Sequence, residues 1–112
     1  MTKYRAKRSG KYASGAEAKR AAELKLMERS GAITELREQV VYVLAPSVVI
    51  QGRKRPPMRY VADFVYWQLS EKKHDYPNGK WVVEDVKGMI TPAYRLKRHL
   101  MMSVHGIAIL ET

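Results

Sequence analysis

Two stretches of this chain carry helix punctuation at both ends, and every strand-like run lies between them or after the second. That order limits the fold more than any other feature. The first stretch is SGAEAKRAAELKLMERSG, 14–31. Ser14 and Glu17 have the spacing of a capping box, in which the serine accepts from the third helical N–H and the glutamate reaches back. Gly31 stands where a left-handed C-cap belongs. The second stretch opens at Thr91-Pro92, an N-cap threonine with proline in the first turn, and closes at Gly106. Between them the runs QVVYVLAP (39–46), RYVADFVYWQL (59–69) and WVVEDVKG (81–88) are β-branched and aromatic, hence strands. QGRKRPPMR (51–59) is basic and proline-bearing, which predicts a loop, and Asn78-Gly79 is a turn signal. GIAIL (106–110) supplies a short last strand. Helix, three strands, helix, strand predicts an α/β fold, its helices packed on a mixed sheet and its last strand reached by a crossover.

The faces of the helices follow from a 3.6-residue period. Glu17, Ala21 and Leu24 share one face of the first helix, so Glu17 heads an apolar stripe turned to the core. On the second helix Ala93, Leu96, Leu100 and Val104 form the expected stripe, with Arg95, Lys97, Arg98 and His99 largely off it. A length of 112 residues suits one domain, 14–112, after a basic arm, 1–13. In the arm Lys3, Arg5, Lys7, Arg8 and Lys11 alternate with Tyr4 and Tyr12. Such a segment cannot fold alone. It suits phosphates and base stacking, or serves as a solubilising tail.

Charge narrows the partner. Lys and Arg number 21 against 11 Asp and Glu, a formal net charge of +10. A polyanion is the expected partner: nucleic acid first, an anionic membrane surface or an acidic protein after it. There is no cysteine, which excludes disulfides and thiolate zinc sites. The basic N-terminus has no apolar core of a secretory signal, and no apolar run approaches the roughly 18 residues of a membrane span. A soluble, cytoplasmic protein with no membrane partner is expected.

The charges inside the strands point to chemistry. Asp63 is the only charge within its apolar strand. Asp85 and Lys87 project to the same side of the next one, about 6.6 Å apart at ~3.3 Å per residue. If the strands pair, Asp63 reaches Asp85, and like charges 4 Å apart repel by ~4 kcal/mol at an effective dielectric of 20. A divalent cation between them relieves that repulsion, and carboxylates with a backbone carbonyl are the oxygen donors Mg²⁺ takes. Lys87 would then reach a phosphate oxygen or an attacking water. The plainer alternative is a solvated strand end in which Lys87 pairs with Asp63 or Asp85 and no metal is held. The other candidates are poorer. His74, His99 and His105 lack the spacing of a zinc pair, GRKRPP lacks that of a phosphate loop, and Trp67 and Trp81 suit cross-strand packing.

SGAEAKRAAELKLMERSGAI, YVADFVY, VVEDVKG and TPAYRLKRHL, taken in order, resemble the PD-(D/E)XK nuclease superfamily. More narrowly they resemble a phage- and prophage-encoded family long catalogued as a domain of unknown function. The resemblance covers most of residues 12–112. It implies a restriction-endonuclease-like αβββαβ core and Mg²⁺-dependent cleavage of DNA, with Mn²⁺ as a substitute. Asp63 and Asp85 stand at the superfamily's two carboxylate positions and Lys87 at its catalytic lysine. The carbonyl of Val86 would also face the metal. Glu17 matches the first-helix glutamate that assists metal binding in junction-resolving members. Ala62 replaces the proline that often precedes the strand aspartate. Glu84 is the alternative to Asp85 should the strand be bulged, and Gln39 has a conceivable role at the start of the first strand. The expected protein is a structure-directed or weakly specific DNA endonuclease, a branched-DNA or four-way-junction enzyme first, acting in the host cytoplasm if phage-encoded. A homodimer suits a junction with two strands to cut. Lys7, Arg8, Lys11, Arg53, Lys54, Arg55, Arg95, Lys97 and Arg98 are the expected phosphate contacts. The rival readings are a non-catalytic nucleic-acid binder and a partner of an acidic protein.

Overall fold

The structure, a computed structural model, describes residues 11–70 and 78–112. Lys3, Tyr4, Arg5, Lys7, Arg8 and His74 lie outside the described residues. Helix α1 spans Gly15–Ser30, followed by strands β1 (Ile33–Ala45), β2 (Val48–Ile50), β3 (Arg53–Arg55), β4 (Met58–Leu69) and β5 (Gly79–Asp85), helix α2 (Pro92–His105) and strand β6 (Leu110–Glu111). Four strands form one mixed sheet in the order β1-β4-β5-β6, antiparallel except for the parallel β5–β6 pair. The β5–α2–β6 step is therefore the expected crossover. No described helix is long and apolar enough to cross a membrane.

Both helices begin and end where their punctuation stands. Ser14 Oγ accepts from the Glu17 N–H at 3.1 Å and Thr91 Oγ1 from the Tyr94 N–H at 3.1 Å. Gly31 (φ 87°) and Gly106 (φ 68°) close them in the left-handed region that favours glycine. The helices cover opposite faces of the sheet. Ala21 and Leu24 of α1 pack with Ile33, Phe64, Tyr66 and Val82, whereas Tyr94 and Met101 of α2 pack with Leu44, Tyr60, Ala62, Val65 and Val83. Full burial of a side chain such as Phe64, Leu24 or Met101 contributes about 1.5–3 kcal/mol each.

Several elements differ from the sequence expectation. The first strand starts at Ile33, not Gln39, because the polar run ITELREQ pairs along the edge of the sheet with β4. A register shift lies between Thr34 and Arg37, and Glu35 there has φ 58°. The expected loop 51–59 contains half of a second hairpin, β2–β3, which turns at Gln51 (φ 53°) and Gly52 (φ 75°). Two successive positive φ values make the primed turn whose twist matches a β-ribbon. The third strand ends at Asp85, and the last is confined to Leu110 and Glu111. On α2 the buried residues are Tyr94 and Met101, while Ala93, Leu96 and Val104 are exposed and only Leu100 of the expected stripe packs on the core. The large Tyr94 ring, with a hydroxyl partner on β6, rotates the helix away from its aliphatic stripe.

Candidate active site

The pairing of β4 with β5 builds the site. Phe64 pairs with Glu84, so the next position outward sets Asp63 opposite Asp85. Glu38 pairs with Phe64 and Val40 with Ala62, so Gln39 falls opposite Asp63, and Asp85 pairs with Glu111. Gln39, Asp63, Asp85 and Glu111 therefore form one polar row across the four-stranded sheet. The alternation of β4 reverses within this row: Tyr60 and Ala62 belong to the cluster under α2, Phe64 and Tyr66 to the cluster under α1.

Glu17 enters the row from α1. It is 4% exposed, and Gln39 Nε2 donates to its Oε1 at 3.0 Å while the Ala13 N–H donates to its Oε2 at 2.9 Å. The capping glutamate thus reaches back one residue beyond Ser14. Gln39 has φ 55°, a conformation that costs a non-glycine residue about 1–3 kcal/mol and concentrates at functional sites. Asp63 accepts from the Val86 N–H at 2.9 Å and lies within hydrogen-bonding reach of both Glu17 and Asp85. Asp85 is 4% exposed and accepts from Tyr60 Oη at 2.5 Å. Asp63 thus stands between Glu17 and Asp85, within reach of each.

Burial and crowding set their proton affinity. Asp85 is pushed up to about 6, first by burial and then by a hydrogen bond shared with Asp63; Tyr60 and Lys87 pull it down. Asp63 is also raised, by burial first and by Glu17, against the pull of Asp85 and the Val86 N–H. Two acids this close titrate as a pair, and both are raised above the ordinary carboxylate range.

Lys87 lies just past the end of β5, its backbone N–H bound to the Thr112 carbonyl at 2.9 Å. Its Nζ is 3.2 Å from Asp85 Oδ1 and 3.9 Å from the centre of the Tyr94 ring, a cation–π contact. Tyr94 is itself anchored, since its Oη donates to Glu111 Oε2 at 2.5 Å and Arg98 Nη1 donates to the same oxygen at 2.9 Å. An open cleft of about 690 Å³ lies beside Lys87, with Lys19, Arg20 and Met89 on its walls.

Glu84, the alternative to Asp85, has a different role. It is fully buried, and Arg20 grips it through Nε to Oε2 (2.6 Å) and Nη2 to Oε1 (3.0 Å). Tyr66 Oη donates to Oε1 at 2.8 Å and Thr112 Oγ1 to Oε2 at 3.2 Å. Four donors occupy both oxygens, so the carboxylate facing Asp63 and Lys87 is Asp85.

The expected phosphate contacts divide into groups. Lys11 pairs with Glu38 at 2.8 Å, and Tyr12 Oη donates to the same carboxylate at 2.7 Å, so residues 11 and 12 rest on the body. Arg98 pairs with Glu111 across the polar row. Arg53, Lys54, Arg55 and Arg95 are exposed, and Lys97 is half-buried. Trp67 and Trp81 pair in register, edge to face at 5.2 Å.

The sequence did not disclose Arg20, Tyr60, Tyr94 or Glu111. The capping periodicity of α1 puts Arg20 one turn from Glu17 and was the one available hint. Tyr60 and Glu111 belong to the site through strand register, and Tyr94 through the packing of α2 on the sheet.

The donor chemistry of Glu17, Asp63 and Asp85 fits a hard divalent cation: carboxylate oxygens gathered at one end of the sheet, with Glu17 and Asp85 buried and Asp63 half-buried between them. Among the described residues, no three such side chains are arranged to hold a metal ion as they stand. A cation would have to draw these carboxylates closer together. No curated protein and no solved structure matches the chain. A family profile does: the one described as "Protein of unknown function (DUF1064)" matches residues 1–106, nearly the whole length, and the protein belongs to that family.

Proposed function

We propose that the protein is a metal-dependent DNA endonuclease that hydrolyses phosphodiester bonds at the Glu17–Asp63–Asp85–Lys87 site. The observation that carries this is the gathering of three carboxylates, buried Glu17 and Asp85 with half-buried Asp63 between them, beside a lysine in a protein of net charge +10. A structural role for the row would be served better by apolar residues, because buried like charges oppose folding. The resemblance to PD-(D/E)XK nucleases assigns the same residues.

Asp63, Asp85 and Glu17 would hold Mg²⁺, with the Val86 carbonyl as a further oxygen and Mn²⁺ as a substitute. The ion supplies Lewis-acid neutralisation of the phosphate charge when bound. The chain's own groups do the rest. Val86 N–H and Tyr60 Oη fix the two aspartates, and Gln39 fixes Glu17. Lys87 directs its protons at a phosphoryl oxygen or the attacking water, held by Asp85 on one side and the Tyr94 ring on the other. Exposed cations such as Arg95 fix the position of the DNA backbone, which sets register and not sequence. Branched DNA and a homodimer are the substrate and assembly we put first.

The test is cleavage of supercoiled plasmid, linear duplex, single strand and a synthetic four-way junction, each with Mg²⁺, Mn²⁺ or EDTA. Metal-dependent cutting is expected, and Lys87→Ala should lose about 10²–10³ in rate, as removal of one charge-stabilising donor does elsewhere. Equal cutting in EDTA and Mg²⁺ would overturn the proposal. DNA binding with no cutting of any substrate would favour a non-catalytic binder, in which Asp85→Asn should tighten binding by removing a negative charge.

A further inference from the structure

The β2–β3 hairpin has no role in the site, and its composition is unusual. Each cross-strand pair sets an apolar residue against a cation: Val48 with Arg55, Val49 with Lys54, Ile50 with Arg53. All six are exposed, Val49 by 70%. Strand alternation puts Val48, Ile50, Arg53 and Arg55 on one face of the ribbon. The two strands pack chiefly on each other. A three-residue ribbon without a covered face is marginal in water, so its exposed valines and isoleucine call for a function.

The hairpin continues the β1–β4 ribbon. Ala45 pairs with Met58 and Val48 with Arg55, the same offset on both sides of Pro46, Pro56 and Pro57. Prolines on both strands remove ladder hydrogen bonds and make a joint there. Beyond the joint the cations can stand well away from the carboxylates: ten residues separate Arg53 from Asp63, a reach of up to about 33 Å at ~3.3 Å per residue. One turn of B-DNA is about 34 Å.

We propose that β2–β3 is a DNA-grasping arm. It lies along duplex up to one helical turn from the carboxylate site, with Val48 and Ile50 against the groove, Arg53 and Arg55 of the same face on phosphates, and Lys54 of the other face reaching the phosphates of the groove wall. A two-stranded ribbon fits the major groove, and apolar side chains contact sugars and base edges there. Charge decides against a second copy of the chain as occupant, since two such arms facing each other set three cations against three. The inference rests on the nucleic-acid part of the proposed function and does not require cleavage.

The test is salt-titrated binding of the full chain to a 40-base-pair duplex in EDTA, with hydroxyl-radical footprinting. For Arg53→Ala/Lys54→Ala/Arg55→Ala, three lost phosphate contacts should reduce the slope of log K against log salt by about 2.7, at ~0.9 per phosphate. The footprint should shorten by about ten base pairs at one end. Ile50→Ser should weaken binding with the slope unchanged. Unaltered melting temperatures confirm that the variants fold, as expected for exposed sites. If wild type binds and the triple variant keeps its slope and footprint, the arm proposal is overturned while the nuclease reading stands. If wild type shows no salt-dependent binding, both fall. If Ile50→Ser converts a dimer to a monomer and leaves DNA affinity unchanged, the hairpin is a self-association surface and the proposal is overturned.

Discussion

Replacing Arg20 with methionine isolates the claim that Glu84 is structural. Arg20 makes two hydrogen bonds to a carboxylate with no solvent exposure, through Nε at 2.6 Å and Nη2 at 3.0 Å. Methionine keeps much of the stem's packing but leaves Glu84 with only Tyr66 and Thr112 as donors. Breaking a buried pair from one side costs about 3–5 kcal/mol, because an uncompensated charge stays inside. Arg20 retains 24% side-chain exposure, so water repays part of that and about 3 kcal/mol is the value to test. For a domain of this size the cost lowers the melting temperature by roughly 10–15 °C. Urea denaturation gives the free energy directly. Arg20→Met/Glu84→Met should recover most of the loss, since replacing both partners with apolar groups is often neutral or stabilising. A single-variant cost below about 1 kcal/mol would refute the reasoning. Glu84 would then not depend on Arg20, and Asp85 would lose its claim to be the one carboxylate available at the end of β5.

Three further outcomes follow from the geometry. Asp85 is raised to about 6 in the folded chain, above its unfolded value, so the stability it contributes is complete below about pH 4 and lost as pH rises through 6. Urea denaturation in EDTA should show that loss, about 3 kcal/mol for a rise from 3.8 to about 6, and Asp85→Asn should remove most of it; a flat profile in wild type would contradict the buried, crowded arrangement. Gly79 has φ 148°, and a Cβ there would meet the Gln68 carbonyl, so Gly79→Ala should lower stability by more than about 2 kcal/mol in thermal or urea unfolding. Glu35, exposed at φ 58° with a loose ion pair to Arg37, should gain roughly 0.5 kcal/mol on replacement by glycine, read as a higher urea midpoint; a loss would mean the bulge depends on the side chain.

Local chemistry made the helices legible. Ser14, Thr91, Pro92, Gly31 and Gly106 satisfy or terminate backbone hydrogen bonds within a few residues, so their effect is independent of the rest of the fold. The centres of β4 and β5 were legible for the same reason, as β-branched and aromatic runs. Asp63, Asp85, Lys87 and Glu17 stood out because each carries charge into an apolar pattern. The edges of the sheet were not legible: ITELREQ and RKR form strands because a partner strand supplies hydrogen bonds, and most of their side chains are polar and exposed. The face of α2 was decided by Tyr94, whose hydroxyl partner Glu111 lies on β6. The difference between Glu84 and Asp85 was decided by a single step of the strand. That step turns one carboxylate toward Arg20 and the other toward Asp63 and Lys87, and side-chain direction on a strand acquires meaning only from what packs on each face. Sequence alone determined which residues carry the charge and where the helices begin and end. Tertiary structure decided which charges meet, because that depends on register between strands far apart in the chain.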